Sequence, residues 1–175
     1  MARTTPETKR TVQAKGHELR AAVAPGFKTV EDALNFAVDE GTKAYEYYMD
    51  LAVRVKDPWT REALEGFAAE ELDHIERFVA MKHSPRKAPK PHNVPGLKIA
   101  EYVTAEVLPR EDMDTREAYV IALKAESAAY RRYVDLADQA ATPEIQEVFL
   151  ALAEEVAKHR HKIEMEYDDY FFAQN

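Results

Sequence analysis

The sequence predicts an all-α protein: a four-helix bundle built from two repeated helical hairpins joined by a long proline-rich crossover. Three observations carry this expectation. Apolar residues recur in steps of three and four through four long segments. The second pair of segments repeats the first at a constant offset of 85 positions. Chain breakers gather between the pairs: Pro85, Pro89, Pro91, Pro95 and Gly96 fall within 84–96, in a chain with only 5 glycines.

Taken in order, residues 1–28 are polar, with Pro6, Gly16, Pro25 and Gly26, and read as an N-terminal extension with room for a short helix over 12–23. The bundle is expected over 29–175, with repeat halves 29–83 and 114–171. Asp57-Pro58 ends the first helical stretch and starts the second, since proline suits a first helical turn. The linker covers 84–96, and its Arg86, Lys87 and Lys90 read as a solvated loop rather than an anion site. A short amphipathic piece, Leu97 to Leu108, stops at Pro109. The last two helices are expected over Thr115 to Ala140 and Pro143 to about Phe171.

Composition removes several classes of function. With 32 Asp+Glu against 24 Lys+Arg the net charge is −8, which argues against nucleic acid as a partner. There is no cysteine, which excludes disulfides, thiolate catalysis, Cys-ligated zinc and Cys-ligated iron–sulfur centres. The longest apolar stretches, such as Tyr119 to Leu123, are about five residues, against the roughly 20 of a spanning helix, so no membrane partner is expected. No apolar run follows MARTTPETKR, so a secretory signal is not expected and the cytoplasm is the expected location.

The repeat holds its register without a gap. Ala33, Ala37, Ala44-Tyr45, Tyr48 and Asp50-Leu51-Ala52 meet Ala118, Ala122, Ala129-Tyr130, Tyr133 and Asp135-Leu136-Ala137. Pro58, Glu62, Ala68, Glu70 and His74 meet Pro143, Glu147, Ala153, Glu155 and His159. Two such hairpins about a pseudo-twofold axis bring residues facing that axis onto their own counterparts.

Polar residues interrupt the inward stripes. The second helix reads Leu64, Phe67, Glu71, His74, Phe78, Met81, and the fourth Phe149, Leu152, Val156, His159, Ile163. The third reads Tyr119, Ala122, Glu126, Tyr130, Tyr133, Ala137, and the first Ala37, Gly41, Tyr45, Tyr48, Ala52. Two carboxylates and two imidazoles thus point into one core. Buried carboxylates need a proton, a histidinium or a metal ion as compensation. Glu71-x-x-His74 sets both side chains on one face, one turn apart, the spacing by which a bundle helix offers two ligands to one ion. His17, His83, His92 and His161 read as surface residues.

At these residues the chain resembles the rubrerythrin-like branch of the ferritin-like superfamily, over about residues 30–174. The resemblance rests on 44–52 (AYEYYMDLA), 71–74 (ELDH), 126–133 (ESAAYRRY), 152–159 (LAEEVAKH) and the ending 166–170 (EYDDY). It implies a ferritin-like bundle, frequently dimeric, that holds two irons and reacts with peroxide or oxygen. The implied ligands are Glu71, His74, Glu126 and His159, with Tyr48 and Tyr133 placed near ligand carboxylates. Two further glutamates expected by the resemblance are replaced by Gly41 and Val156. Rubrerythrins proper also carry a cysteine-rich electron-transfer domain; this sequence has no cysteine, so electrons would come from an external donor. Glu40 and Glu155 lie one residue from the lost ligand positions, about a 100° turn away.

The full ligand set carries about four negative charges, which two divalent irons neutralise. The set present here carries about two. One divalent ion, iron or another, balances that, and so do two histidinium ions without metal. The leading expectation is a homodimer with a degenerate site that binds one metal ion or a labile pair, with one ion or none favoured over two; an oxidoreductase role follows from the resemblance alone. The alternatives are a metal-free bundle serving as a binding or assembly module through its outer surface or its aromatic tail, and an enzyme of another type using the Glu/His cluster with Tyr48 or Tyr133. The tyrosines are expected to pack with their hydroxyls bonded to glutamate, and the tail, Tyr167 to Phe172, to dock on the bundle or a partner copy.

Overall fold

A computed structural model describes residues 26–83 and 108–171 of the chain. The extension before residue 26, the linker 84–96, most of the 97–108 piece, His17, His92 and Phe172 lie outside the described residues. The described residues form four α-helices: α1 (Val30–Arg54), α2 (Pro58–His83), α3 (Thr115–Asp138) and α4 (Pro143–Phe171). Among the described residues there is no strand, and no helix is long and apolar enough to cross a membrane.

The helix starts show why these segments begin where they do. At α1, Thr29 Oγ1 accepts from the Asp32 N–H at 3.1 Å, and Asp32 Oδ2 accepts from the Thr29 N–H at 2.9 Å. At α3, Asp114 Oδ1 accepts from Glu117 N–H at 2.8 Å, and Glu117 Oε2 accepts from Asp114 N–H at 3.0 Å. Each reciprocal pair satisfies two backbone donors that a helix start otherwise leaves open. The two pairs are related by the 85-residue offset, so the repeat reaches the caps. α2 and α4 start at Pro58 and Pro143, where the missing proline N–H costs nothing. Asp57 Oδ2 accepts from the Thr60 N–H and hydroxyl, both at 2.7 Å, and Thr142 Oγ1 takes the longer, 3.4 Å bond from Ile145 N–H.

The hairpin turns are also equivalent. Arg61 Nε donates to the Ala52 carbonyl at 3.2 Å, and Gln146 Nε2 donates to the Ala137 carbonyl at 3.2 Å. Both bonds tie the second helix of a hairpin to open carbonyls at the end of the first, and both fall at mated positions. α3 ends at Asp138, two residues before the expected Ala140, because Gln139 leaves helical geometry.

α1 packs along α2 and α3 along α4; across the core α1 meets α4 and α2 meets α3 over shorter lengths. Thr60 and Thr115 hydroxyls are 3.2 Å apart and the Lys56 N–H donates to the Glu111 carbonyl, so α3 starts beside the start of α2. The chain leaves α2 at its other end. The connection therefore returns the length of a 26-residue helix, about 39 Å at 1.5 Å per residue, and this makes it a crossover rather than a turn. The mates α1 and α3 are joined by the Arg132–Glu40 ion pair, and α2 and α4 by Lys162–Glu70 and Arg77–Glu155. The core falls into two apolar clusters. One is centred on Phe149, Leu152, Ala33 and Ala37, the other on Tyr48, Leu51, Leu64 and Leu123. Between them lies a polar belt.

A buried carboxylate–histidine centre

Four polar side chains occupy the belt, all buried: Glu71 and His74 from α2, Glu126 from α3, His159 from α4. Helical spacing sets the first pair on one face, with His74 Nδ1 3.7 Å from Glu71 Oε2. The His74 and His159 rings meet edge to face with centroids 4.9 Å apart. One donor atom each from Glu71, His74 and His159 lies within 4.8 Å of the others, so these three could hold one metal ion. Glu126 reaches the set through His159, its Oε1 lying 3.1 Å from Nδ1. That approach is not aligned as a hydrogen bond: both His159 ring nitrogens are buried without a hydrogen-bond partner among the described residues.

Burial and charge act together on these groups. Burial pushes the Glu126 carboxyl above its ordinary range, with His159 pulling the other way. Burial alone would lower the His159 imidazole, but Glu126, Glu71 and Glu70 together outweigh it and raise it. Burial, with the charges of Glu126 and Glu71, holds the Tyr48 phenol well above its usual value. Burial and Glu71 do the same to Tyr133. Both tyrosines therefore keep their protons beside the carboxylates. Neither hydroxyl is hydrogen-bonded to Glu71 or Glu126 among the described residues, contrary to the bonding expected from sequence; the charges act through space.

Gly41 and Val156 are buried against the same belt. A Cβ added at Gly41 would stand 3.0 Å from Ile75 Cγ1 and 3.9 Å from Glu71 Oε2. Ile75 occupies part of the space beside the glycine. Glu40 and Glu155 do not turn inward. Glu40 pairs with Lys43 and Arg132, and Glu155 with Arg77 and Lys158.

A cavity of about 300 Å³ opens between α1 and α3 and reaches Glu71, His74 and Glu126, with Gly41, Tyr48, Tyr133 and Val156 in its lining and Glu40, Lys43 and Arg132 among its polar residues. A second, of about 360 Å³, opens between α2 and α4 and reaches His159 past Trp59, Tyr119 and Tyr170. The aromatic tail docks on the bundle: the Tyr167 and Phe171 rings lie 6.2 and 6.1 Å from that of Tyr119, and Arg116 covers Phe171 at 4.8 Å.

Sequence reasoning missed part of α4. His161, expected at the surface, is half-buried, with a buried Nδ1. Glu154 and Glu164 are fully buried as well. With Ala157 they form a second stripe of steps three and four, which polar composition disguised. His83 is exposed as expected.

Fold and site define a class: a four-helix bundle with a carboxylate–histidine cluster on its pseudo-twofold axis, the arrangement of ferritin-like proteins. Residues 117–175, the second hairpin, match the rubrerythrin family model. No curated protein and no solved structure matched the chain.

Proposed function

We propose that this protein is a rubrerythrin-like metal-binding protein with one divalent ion per chain, held by Glu71, His74 and His159 with Glu126 alongside. One observation carries the reading. Three buried donor atoms from two helices converge within 4.8 Å, and the buried His159 ring has Glu126 Oε1 3.1 Å from Nδ1 while its Nε2 has no hydrogen-bond partner among the described residues. An imidazole buried in that state is costly unless something else takes a nitrogen lone pair. The donor set of two imidazoles and one or two carboxylates suits a divalent first-row metal such as iron.

When bound, iron would supply Lewis-acid and one-electron chemistry, which supports an oxygen- or peroxide-linked role. The chain's own residues shape where that chemistry happens. Glu71 and Glu126 carry the charge that the ion balances. Tyr48 and Tyr133 keep phenolic protons at the wall of the α1–α3 cavity. Leu64, Phe67 and Phe78 flank the centre on α2 as buried apolar residues. With no cysteine in the sequence, electrons come from a separate donor.

The test is Fe(II) binding to the full chain under anaerobic conditions, compared with Glu71→Gln, His74→Gln and His159→Gln. Each substitution is expected to weaken binding by about tenfold or more, a loss of at least one coordinate bond. Hydrogen peroxide added to the loaded protein should oxidise the iron faster than it oxidises free Fe(II). Equal iron affinity in all four proteins would contradict the site.

A further inference from the structure

We infer that the cavity between α1 and α3 binds a small monocarboxylate, which takes the place at the ion of the glutamate side chains missing at positions 41 and 156. This rests on the metal-site reading above. Gly41 and Val156 are the repeat mates of Glu126 and Glu71, so the missing carboxylates belong to the same belt as the two present. Both positions line the cavity. Ile75 fills part of the space beside Gly41, yet about 300 Å³ stays open. At roughly 30 Å³ for each water in the liquid, that exceeds what a short acid needs.

The walls suit the two ends of such a molecule. Phe78, Ala44, Ala125 and Ala129 offer an apolar surface to a short alkyl tail. Tyr48 and Tyr133 present phenolic O–H groups that can donate to a carboxylate, and burial keeps those protons in place. Charge decides between an anion and a cation. One divalent ion with Glu71 and Glu126 is neutral. Among the cavity's remaining charged residues, Lys43 and Arg132 flank a single carboxylate, Glu40, which leaves one positive charge over. One monoanion balances it; a second metal ion finds no carboxylate left to meet it. The opposite cavity contrasts: Glu62, Glu70 and Glu166 line it against Lys162 alone, so an anion is favoured only on the α1–α3 side.

The probe is Co(II), whose visible absorption reports its ligands, with acetate added against equal chloride. In the full-length protein acetate should shift the cobalt bands saturably and tighten Co(II) binding about tenfold, with reciprocal tightening of acetate by the ion. Val156→Glu supplies an internal carboxylate, so its cobalt should no longer respond to acetate. Arg132→Gln removes a largely exposed cation and its ion pair with Glu40 but leaves the buried belt unchanged; it should raise the acetate midpoint several-fold, which keeps the test open if the Val156 variant fails to fold. If Co(II) binds and acetate changes neither bands nor affinity beyond chloride, the carboxylate site is wrong and the metal site stands. If Co(II) does not bind, both are wrong.

Discussion

Compared position by position at the 85-residue offset, the two hairpins agree at their ends and disagree at their centres. The capping pairs Thr29/Asp32 and Asp114/Glu117 do the same work, and so do the turn bonds from Arg61 and Gln146. At the middle Gly41 faces Glu126, Glu71 faces Val156 and Ile75 faces Arg160. Each hairpin has one carboxylate and one histidine at its centre: Glu71 and His74 share α2 in the first, whereas Glu126 on α3 and His159 on α4 divide them in the second. The ends answer only to backbone hydrogen bonding, which any hairpin of this kind must satisfy. The centre answers to charge, and there the two copies have become complementary rather than identical.

The strongest way to break this comparison is to force symmetry on it. Gly41→Glu and Val156→Glu each place a carboxylate in the belt, and an uncompensated buried charge costs about 3–5 kcal/mol in the apo protein. Only Gly41→Glu also crowds the Ile75 side chain, whose Cγ1 lies 3.0 Å from the new Cβ and must give by a few tenths of an ångström, and overpacking of that kind adds about 1–3 kcal/mol. Denaturant unfolding of the two apo variants should therefore rank Gly41→Glu as the less stable. Equal stabilities would mean that Ile75 does not fill the space.

Next in size is the rescue. Gly41→Glu, Ile75→Ala and Val156→Glu together recreate the symmetric set of four carboxylates and two histidines without the crowding. Fe(II) binding should rise from one ion per chain toward two, and the added iron should raise the melting temperature because it binds only the folded state. A triple variant that still binds one ion would show that the belt cannot accept a second site.

Smaller effects test the matching ends. Thr29→Ala should cost about 1 kcal/mol in unfolding free energy, the usual loss for an N-cap, and Asp114→Ala should cost about the same. Asp57→Ala should cost more than Thr142→Ala, because Asp57 makes two bonds of 2.7 Å and Thr142 one of 3.4 Å.

The mildest prediction concerns pH. Bonds from nearby backbone N–H groups and the Thr29 hydroxyl hold Asp32 below its ordinary 3.8, and the Thr60 hydroxyl and N–H do the same for Asp57. The Asp114 N–H holds Glu117 below 4.5. For carboxyls lowered in the folded state the stabilisation is complete above the ordinary value and is lost as pH falls through the lowered one. The gap in melting temperature between the parent and Asp57→Asn should therefore shrink between about pH 6 and about pH 3. A constant gap would place the Asp57 contribution outside its charge.

The fold was legible because Asp57-Pro58, Thr142-Pro143 and the stripes through Leu64 and Phe149 all obey local rules. The burial of Glu71, His74, Glu126 and His159 was legible for a related reason: they stand as polar interruptions of apolar stripes. What stayed hidden depends on three-dimensional filling. Nothing in the sequence says that Ile75 occupies the space beside Gly41, or that Glu154 and Glu164 are buried, and His161 half-buried, on a second face of α4. Nor can spacing tell whether the Tyr48 hydroxyl bonds to a carboxylate or only feels its charge.

The central claim is that two deleted carboxylates leave a centre for one ion rather than two. It is tested most directly by elemental analysis of the full-length protein, purified without chelators or metal-affinity tags and reported as metal per chain. The account predicts one divalent ion, lost on His159→Gln. Two ions per chain would contradict it and would require Glu40 or Glu155 to leave its ion pairs and turn inward. No ion, in protein also offered Fe(II) anaerobically, would contradict it equally and favour Glu126 paired with a protonated His159.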